Sequence, residues 1–266
     1  MLISHAWSMH SWRNVMARTR LDQEMVRRGL VESRTAAASS IDAGRVLVNG
    51  AIADKASRLV AAGDAIIVTV TAKYVGRGGE KLEAALDAFG IDPSGREALD
   101  IGSSTGGFTD CLLQRGARQV VAVDVGHNQL HERLRGDTRV RSFEGLHIRE
   151  AEASVIGGPF DLVVCDLSFI SLTSVSGAIS RHCLPGADVV MLVKPQFEAG
   201  RSEVSKGQGI IKDEVIRQRT LREVADHYAE AGFTMVEAID SPVPGSGGNV
   251  EFLLYLRAPG GKGSGQ

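Results

Sequence analysis

Cysteine is scarce in this chain: three residues, Cys111, Cys165 and Cys183, among 266, with no C-x-x-C pair and no His/Cys cluster. An odd count without such spacing excludes a disulfide framework and a structural zinc site, so no metal is expected and a reducing cytoplasm fits best. Long apolar runs are also missing. No stretch approaches the roughly 18 apolar residues of a membrane-spanning helix. The opening MLISHAWSMHSWRNV has neither the basic region nor the continuous apolar core of an export signal. Charge of one sign is lacking too, since 30 Lys and Arg face 32 Asp and Glu, a formal net charge of −2. That balance hides a local bias. Residues 1–70 hold nine basic against six acidic side chains, or +3, which leaves −5 for the remainder. A basic small module beside an acidic larger one points to an anionic partner for the first.

What is present is ample core: 43% of the residues are hydrophobic, enough for one large or two modest globular domains. Residues 1–15 lack any periodic pattern and read as a disordered tail or a non-native start. A small module is expected over 16–70, a link over 71–81, a large module over 82–257 and a flexible tail over 258–266. Two short amphipathic helices read out of RLDQEMVRRGL and SRTAAASSIDAG. The first places Leu21, Met25 and Val26 on one face and stops at Gly29; the second starts behind a Ser33 cap and stops at Gly44. RVLVNGAIAD predicts a strand turning at Asn49 and Gly50, and AAGDAIIVTV predicts a turn and a further strand.

The pattern RLDxxxVxxGLxxSRxxAxxxIxxGRVxVNG, continuing to residue 68, resembles the S4-type RNA-binding module first named for a small-subunit ribosomal protein. The resemblance implies that Arg18, Arg20, Arg34, Arg45, Lys55 and Arg58 meet RNA phosphates, joined by Arg77 in the link. Backbone neutralisation of this kind positions RNA without reading its sequence. Lys55-Ala56-Ser57 departs from the family's usual central proline.

In the larger module, hydrophobic strands alternate with helical segments in the manner of a doubly wound sheet: EALDIG, QVVAVDVG, VRSFEG, FDLVVCDL, DVVMLVK, FTMVEAID and VEFLLYLR. The last two are joined through SPVPGSGGN without a helix. Seven such strands predict an α/β, Rossmann-like sheet, parallel and finished by an antiparallel hairpin, an architecture typical of S-adenosylmethionine-dependent methyltransferases. In LDIGSSTGGFTD a strand ends on Asp100 and runs through Gly102, Ser103, Ser104, Thr105, Gly106 and Gly107 into a helix. Glycines let the backbone approach a ligand, and the helix start offers free N–H groups. The dinucleotide fingerprint G-x-G-x-x-G fails at its second glycine, which is Ser104. An acid just before the loop favours a ligand carrying an ammonium group, and Asp124, ending the next strand, is placed to hold ribose hydroxyls. The loop by itself leaves NAD open as the alternative to S-adenosylmethionine.

Four charges sit oddly in apolar surroundings. Lys194 ends DVVMLVK and is stopped at once by Pro195, which forces it to extended dihedrals. Asp166 ends FDLVVCD, Lys81 lies in VGRGGEKLEAAL, and Glu251 opens the run FLLYL. Strand carboxyl ends are where open α/β sheets bind ligands, so these four can converge. RGGEKL, LDIGSSTGGFTD, DLSFISL, LVKPQFE and GNVEFLLYL, in this order, resemble the hemolysin TlyA family of rRNA ribose 2′-O-methyltransferases, whose catalytic core is related to FtsJ-type enzymes. The resemblance implies S-adenosylmethionine as methyl donor, ribosomal RNA or a ribosomal subunit as partner, and a catalytic tetrad of Lys81, Asp166, Lys194 and Glu251. Gly76 replaces a usual serine, and FEGLHIRE lacks the family's usual Asn-Ala-Arg, which bears on the adenosine contacts. The resemblance implies a cytidine of large-subunit rRNA as target, with a second in small-subunit rRNA for longer family members; no helical extension follows Arg257, which tilts the expectation toward the large subunit. Two competing readings are a membrane-active cytolysin and a non-catalytic RNA-binding assembly factor. His127, His131 and His147 show no metal-ligand pattern and read as surface or pocket-rim residues; Cys165 reads as a small buried side chain. Phe169 reads equally as base-stacking or core.

Overall fold

The computed structural model describes residues 18–42, 44–69 and 73–260. The expected tail over 1–15, the first part of the link and the end of the expected C-terminal tail lie outside the described residues. The chain divides after residue 72 into two units.

The first unit packs helices Leu21–Arg27 and Arg34–Asp42 with five short strands: β1 (Thr19–Arg20), β2 (Val46–Val48), β3 (Ala51–Ile52), β4 (Leu59–Val60) and β5 (Ile66–Val68). Ser33 Oγ accepts the Ala36 N–H at 3.1 Å, capping the second helix. Asn49 and Gly50 both take positive φ, 51° and 83°, so β2 and β3 turn tightly into antiparallel register with Leu47 opposite Ile52. Leu21, Met25, Ala37, Ile41, Val46, Val48 and Val60 form its core.

The second unit is built on seven strands: β6 (Glu97–Ile101), β7 (Gln119–Asp124), β8 (Val140–Glu144), β9 (Phe160–Cys165), β10 (Cys183–Val193), β11 (Thr234–Asp240) and β12 (Phe252–Arg257). Their order is β11-β12-β10-β9-β6-β7-β8. The strands from β10 to β8 run parallel, whereas β12 is inserted antiparallel between β10 and β11. The central strands are buried on both faces, which is why they read as unbroken apolar runs. Val163, Cys165, Met191 and Leu254 face one cluster; Leu162, Val164, Leu192 and Leu253 face the other. Helices Gly78–Phe89 and Gly107–Gln114 supply Leu82, Leu86, Cys111 and Leu112 to the second cluster, and Glu214–Glu230 supplies Leu221, Val224 and Tyr228 to the first.

Two details differ from the sequence reading. β10 starts at Cys183, five residues before DVVMLVK, with its pairing to β9 irregular between Cys183 and Asp188. Gly78 and Gly79 do not lie in a loop; they open the helix that carries Lys81. Gly79 can be nothing larger, because a Cβ there would sit 2.2 Å from the Tyr74 ring.

Tyr228 ties the helix Glu214–Glu230 to the turn Leu172–Val175: fully buried, it donates its hydroxyl to the Leu172 carbonyl at 2.9 Å. Tyr228→Phe leaves that carbonyl without its donor and should cost about 1–2 kcal/mol in urea unfolding; an unchanged midpoint would count against the bond.

Candidate active site

The glycine loop follows from where β6 ends. Gly102 takes φ +82°, and a Cβ there would meet the Asp166 carbonyl oxygen at 2.6 Å, so both backbone and packing require glycine; Gly106 takes φ +95° with Leu134 Cδ1 2.2 Å from its would-be Cβ. Between them Ser104 is held at φ +47°. Asp124, at the end of β7, fixes it: Oδ2 accepts the Ser104 N–H at 2.8 Å and Oδ1 the Gly126 N–H at 2.7 Å. Gln129 Oε1 accepts the Ser104 hydroxyl at 3.1 Å. Glu144, ending β8, accepts the N–H groups of Asn128, Gln129 and Leu130 at 2.8, 2.9 and 3.1 Å, which holds its carboxyl below the usual range.

Segment 73–79 rests on the same loop. The Val75 N–H donates to Asp110 Oδ2 at 2.8 Å, Gln114 donates to the Lys73 carbonyl at 2.9 Å, and a Cβ on Gly107 would meet Gly79 N at 3.0 Å and Gly76 O at 3.2 Å.

Two cavities share Gly102, Ser104 and Asp166. The first, about 390 Å³, is mainly apolar and is bounded by Val123, Asp124, Gln129, Leu146, Ile148 and Leu167. The second, about 300 Å³, holds the charges: Lys81, Asp166, Lys194 and Glu251 all line it, with Arg77, Ser103, Thr105 and Gly107. Lys194 follows β10 in extended conformation, φ −113° and ψ 101°, with Pro195 opening the next helix. Its Nζ lies 2.6 Å from Asp166 Oδ1 and 2.7 Å from Ser168 Oγ. Lys81 Nζ lies 2.5 Å from Glu251 Oε2, and Gln196 Nε2 donates to Glu251 Oε1 at 3.2 Å. Both lysines are buried, 7% and 8% exposed, so each ammonium is matched by an acid rather than by water.

Asp100 lies under the loop, fully buried and outside both linings. Its Oδ2 accepts the Thr109 hydroxyl at 2.6 Å, while Oδ1 has no partner among the described residues. Burial, helped by the nearby Asp166 charge, pushes its pKa from the ordinary 3.8 to about 7. Gly106 also lies off both linings.

His147 lines the first cavity, whereas His127 and His131 are exposed, and His131 accepts the Arg133 N–H as a helix cap. Cys165 is fully buried and burial pushes its thiol up. Phe169 is 90% exposed at φ +65°, its ring 5.0 Å from Phe197 and on the rim of the first cavity. Sequence reading missed Ser168, Gln129, Gln196 and Glu144. Ser168, in the DLSFISL motif, and Gln196, in LVKPQFE, carried a signal; Gln129 and Glu144 reach the site through folding.

In the first unit Arg18, Arg34 and Lys55 are exposed and Arg20, Arg45 and Arg58 half-buried. Arg28, which sequence reading left out, is structural: its guanidinium donates to the carbonyls of Ala61, Ala62 and Asp64.

Comparison with known proteins matches the FtsJ-like methyltransferase family over residues 74–258 and the S4 domain family over 19–66. The 16S/23S rRNA (cytidine-2′-O)-methyltransferase TlyA of Mycobacterium tuberculosis is 47% identical over 242 residues, 90% of each chain. A solved candidate hemolysin from Streptococcus thermophilus is 40% identical with TM-score 0.69, covering 92% of this chain and 90% of its own. A candidate S-adenosylmethionine-dependent methyltransferase from Listeria monocytogenes, at 15% identity and TM-score 0.51 over 68% of this chain and 97% of its own, shares the fold alone.

Asp100 makes the site's clearest pH prediction. Between about pH 4 and 7 its carboxyl is protonated in the folded chain and ionised in the unfolded one, so its contribution to stability falls as pH rises through that window. The stability of the parent minus that of Asp100→Asn should therefore decline from pH 4 to pH 7 in urea titrations. A difference independent of pH would contradict the assignment.

Proposed function

The chain belongs to the FtsJ-like methyltransferase family, and from that premise we propose that it methylates a ribose 2′-hydroxyl in ribosomal RNA, with S-adenosylmethionine as donor. The observation that carries the reading is the convergence of Lys81, Asp166, Lys194 and Glu251 on one cavity that adjoins the glycine loop. A cytidine of large-subunit rRNA is the proposed target, with small-subunit rRNA the second candidate, because the M. tuberculosis relative is named for both. Such a substrate puts the protein in the cytoplasm. The cytolysin reading finds no support from a spanning segment: no helix among the described residues is long and apolar enough to cross a membrane.

The residues fit the donor. Gly102 and Ser104 line both cavities, so the loop backbone borders whatever occupies them, and Asp100 lies beneath that loop, outside both linings, with one buried oxygen unpartnered among the described residues. Asp124 has each oxygen committed to only one backbone N–H, so both can still accept from ribose hydroxyls. The apolar first cavity, with Val123, Leu146, Ile148 and Leu167, suits an adenine face. S-adenosylmethionine, when bound, supplies a methyl group on a sulfonium that already carries its leaving group.

The protein must therefore polarise and aim the acceptor. Lys194 donates one hydrogen bond, to Ser168, and is ion-paired with Asp166. Its remaining donor capacity is available to the 2′-oxygen. Lys81 adds a second positive charge against the developing alkoxide, while Asp166 and Glu251 hold the two lysines in register. Phe169, exposed and braced by Phe197, offers a face on which an unstacked base can lie. The basic side chains of the S4-type unit bind RNA phosphates and set affinity.

Lys194→Ala should lower single-turnover methyl transfer to rRNA by about a hundred- to ten-thousandfold, with RNA and donor affinity little changed. Near-normal turnover would sink the catalytic assignment and favour an assembly factor.

A further inference from the structure

Asp22 is an acid in a unit expected to bind a polyanion, yet it is among the most buried side chains there, 3% exposed. It sits at the second position of the helix Leu21–Arg27 and gathers two arginines. Arg20 donates through Nε to Oδ1 at 3.0 Å and through Nη2 to Oδ2 at 3.1 Å. Arg34, from the start of the next helix, donates through Nε at 3.2 Å and Nη2 at 2.8 Å, both to Oδ2. The Gln23 N–H completes the set on Oδ1 at 3.0 Å. These bonds draw the Asp22 carboxyl down to about 2, Arg20 contributing most, so it stays ionised at any pH at which RNA binds.

The two guanidiniums use the same edge, Nε and Nη2, on the carboxylate. Each leaves its Nη1 group without a partner among the described residues, and the side chains stay 41% and 56% exposed. A free arginine side chain must give up about 2 kcal/mol of rotamer freedom when it grips a phosphate. Arginines already locked in forks on a buried acid have lost that freedom before RNA arrives.

We propose that Asp22 is a positioning residue for RNA binding: it aligns Arg20 and Arg34 as one rigid cleft that takes backbone phosphates through the outer guanidinium edges. The proposal rests on the reading that these arginines contact RNA, and it reverses the simple electrostatic expectation. Removing a negative charge from an RNA-binding surface should tighten binding if charge alone mattered. With Asp22 as the aligner, its loss weakens binding although the unit becomes more basic.

The test is a double-mutant cycle on the full chain, with in-vitro-transcribed large-subunit rRNA as the probe and Kd measured across a KCl series. Asp22→Asn should raise Kd about tenfold in the parent, with circular dichroism unchanged. In an Arg20→Ala/Arg34→Ala background the same change should have no effect or tighten binding slightly, because the aligned groups are gone. Equal or tighter binding of Asp22→Asn in the parent would overturn the proposal, and so would the same loss in both backgrounds, which marks a structural role. If Arg20→Ala/Arg34→Ala itself bound like the parent, the underlying reading of these arginines would fall and the proposal with it. Should Asp22→Asn not fold, Arg20→Lys/Arg34→Lys decides. It keeps the charge and loses the planar forks, so a several-fold weaker Kd is expected, and an unchanged Kd overturns the inference.

Discussion

The site turns on placing two buried lysines in one cavity, each against a carboxylate. A buried ammonium without an anion is among the costliest states a fold can hold, and one acid removed leaves its partner stranded. The sheet solves this by topology. β12 runs antiparallel between β10 and β11, so its first residues lie at the edge where β9 and β10 end, with Phe252 opposite Val193. Glu251 thereby arrives beside the ends of the strands that deliver Asp166 and Lys194. The fourth member comes from outside the sheet, on the helix Gly78–Phe89, whose first turn packs against the glycine loop through Gly78 and Gly79. An all-parallel sheet would have put Glu251 at the opposite edge.

The same packing links the glycine loop to the cavity that holds the four charges. Gly102 lies under the Asp166 carbonyl, and the Asp166 N–H donates to the Ile101 carbonyl at 2.9 Å, so the loop and Asp166 are tied through backbone. Asp124 and Glu144 then hold the far wall with backbone N–H groups alone. Carboxylates held this way leave the cavity wall set before any ligand enters, which is how a site limits the reorganisation required at reaction.

Much of this was legible in the chain. Strands buried on both faces announce themselves as apolar runs, and a lysine at the end of such a run followed by proline has few structural reasons to exist, so Lys194 and Asp166 stood out. Other parts were not. Gln196 stands in LVKPQFE, yet its contact with Glu251 spans 55 positions of sequence, and Gln129 reaches Ser104 across 25 without any local pattern. The opening of the helix at Gly78 was masked by its glycines; Gly79 is there for the Tyr74 ring and Gly78 faces Phe108, packing that composition cannot show. Asp100 was read as an acid presented to a ligand; its full burial, with one oxygen free, depends on how Thr109 and the loop close over it.

The central claim is that this arrangement transfers a methyl group to a ribose hydroxyl of ribosomal RNA. The most direct measurement is mapping of 2′-O-methyl groups on both rRNAs from cells carrying the gene, lacking it, and complemented with the parent or with Lys194→Ala. The account predicts a modified cytidine in large-subunit rRNA that disappears without the gene, returns with the parent and does not return with the variant. An rRNA methylation pattern identical in all four strains would contradict it.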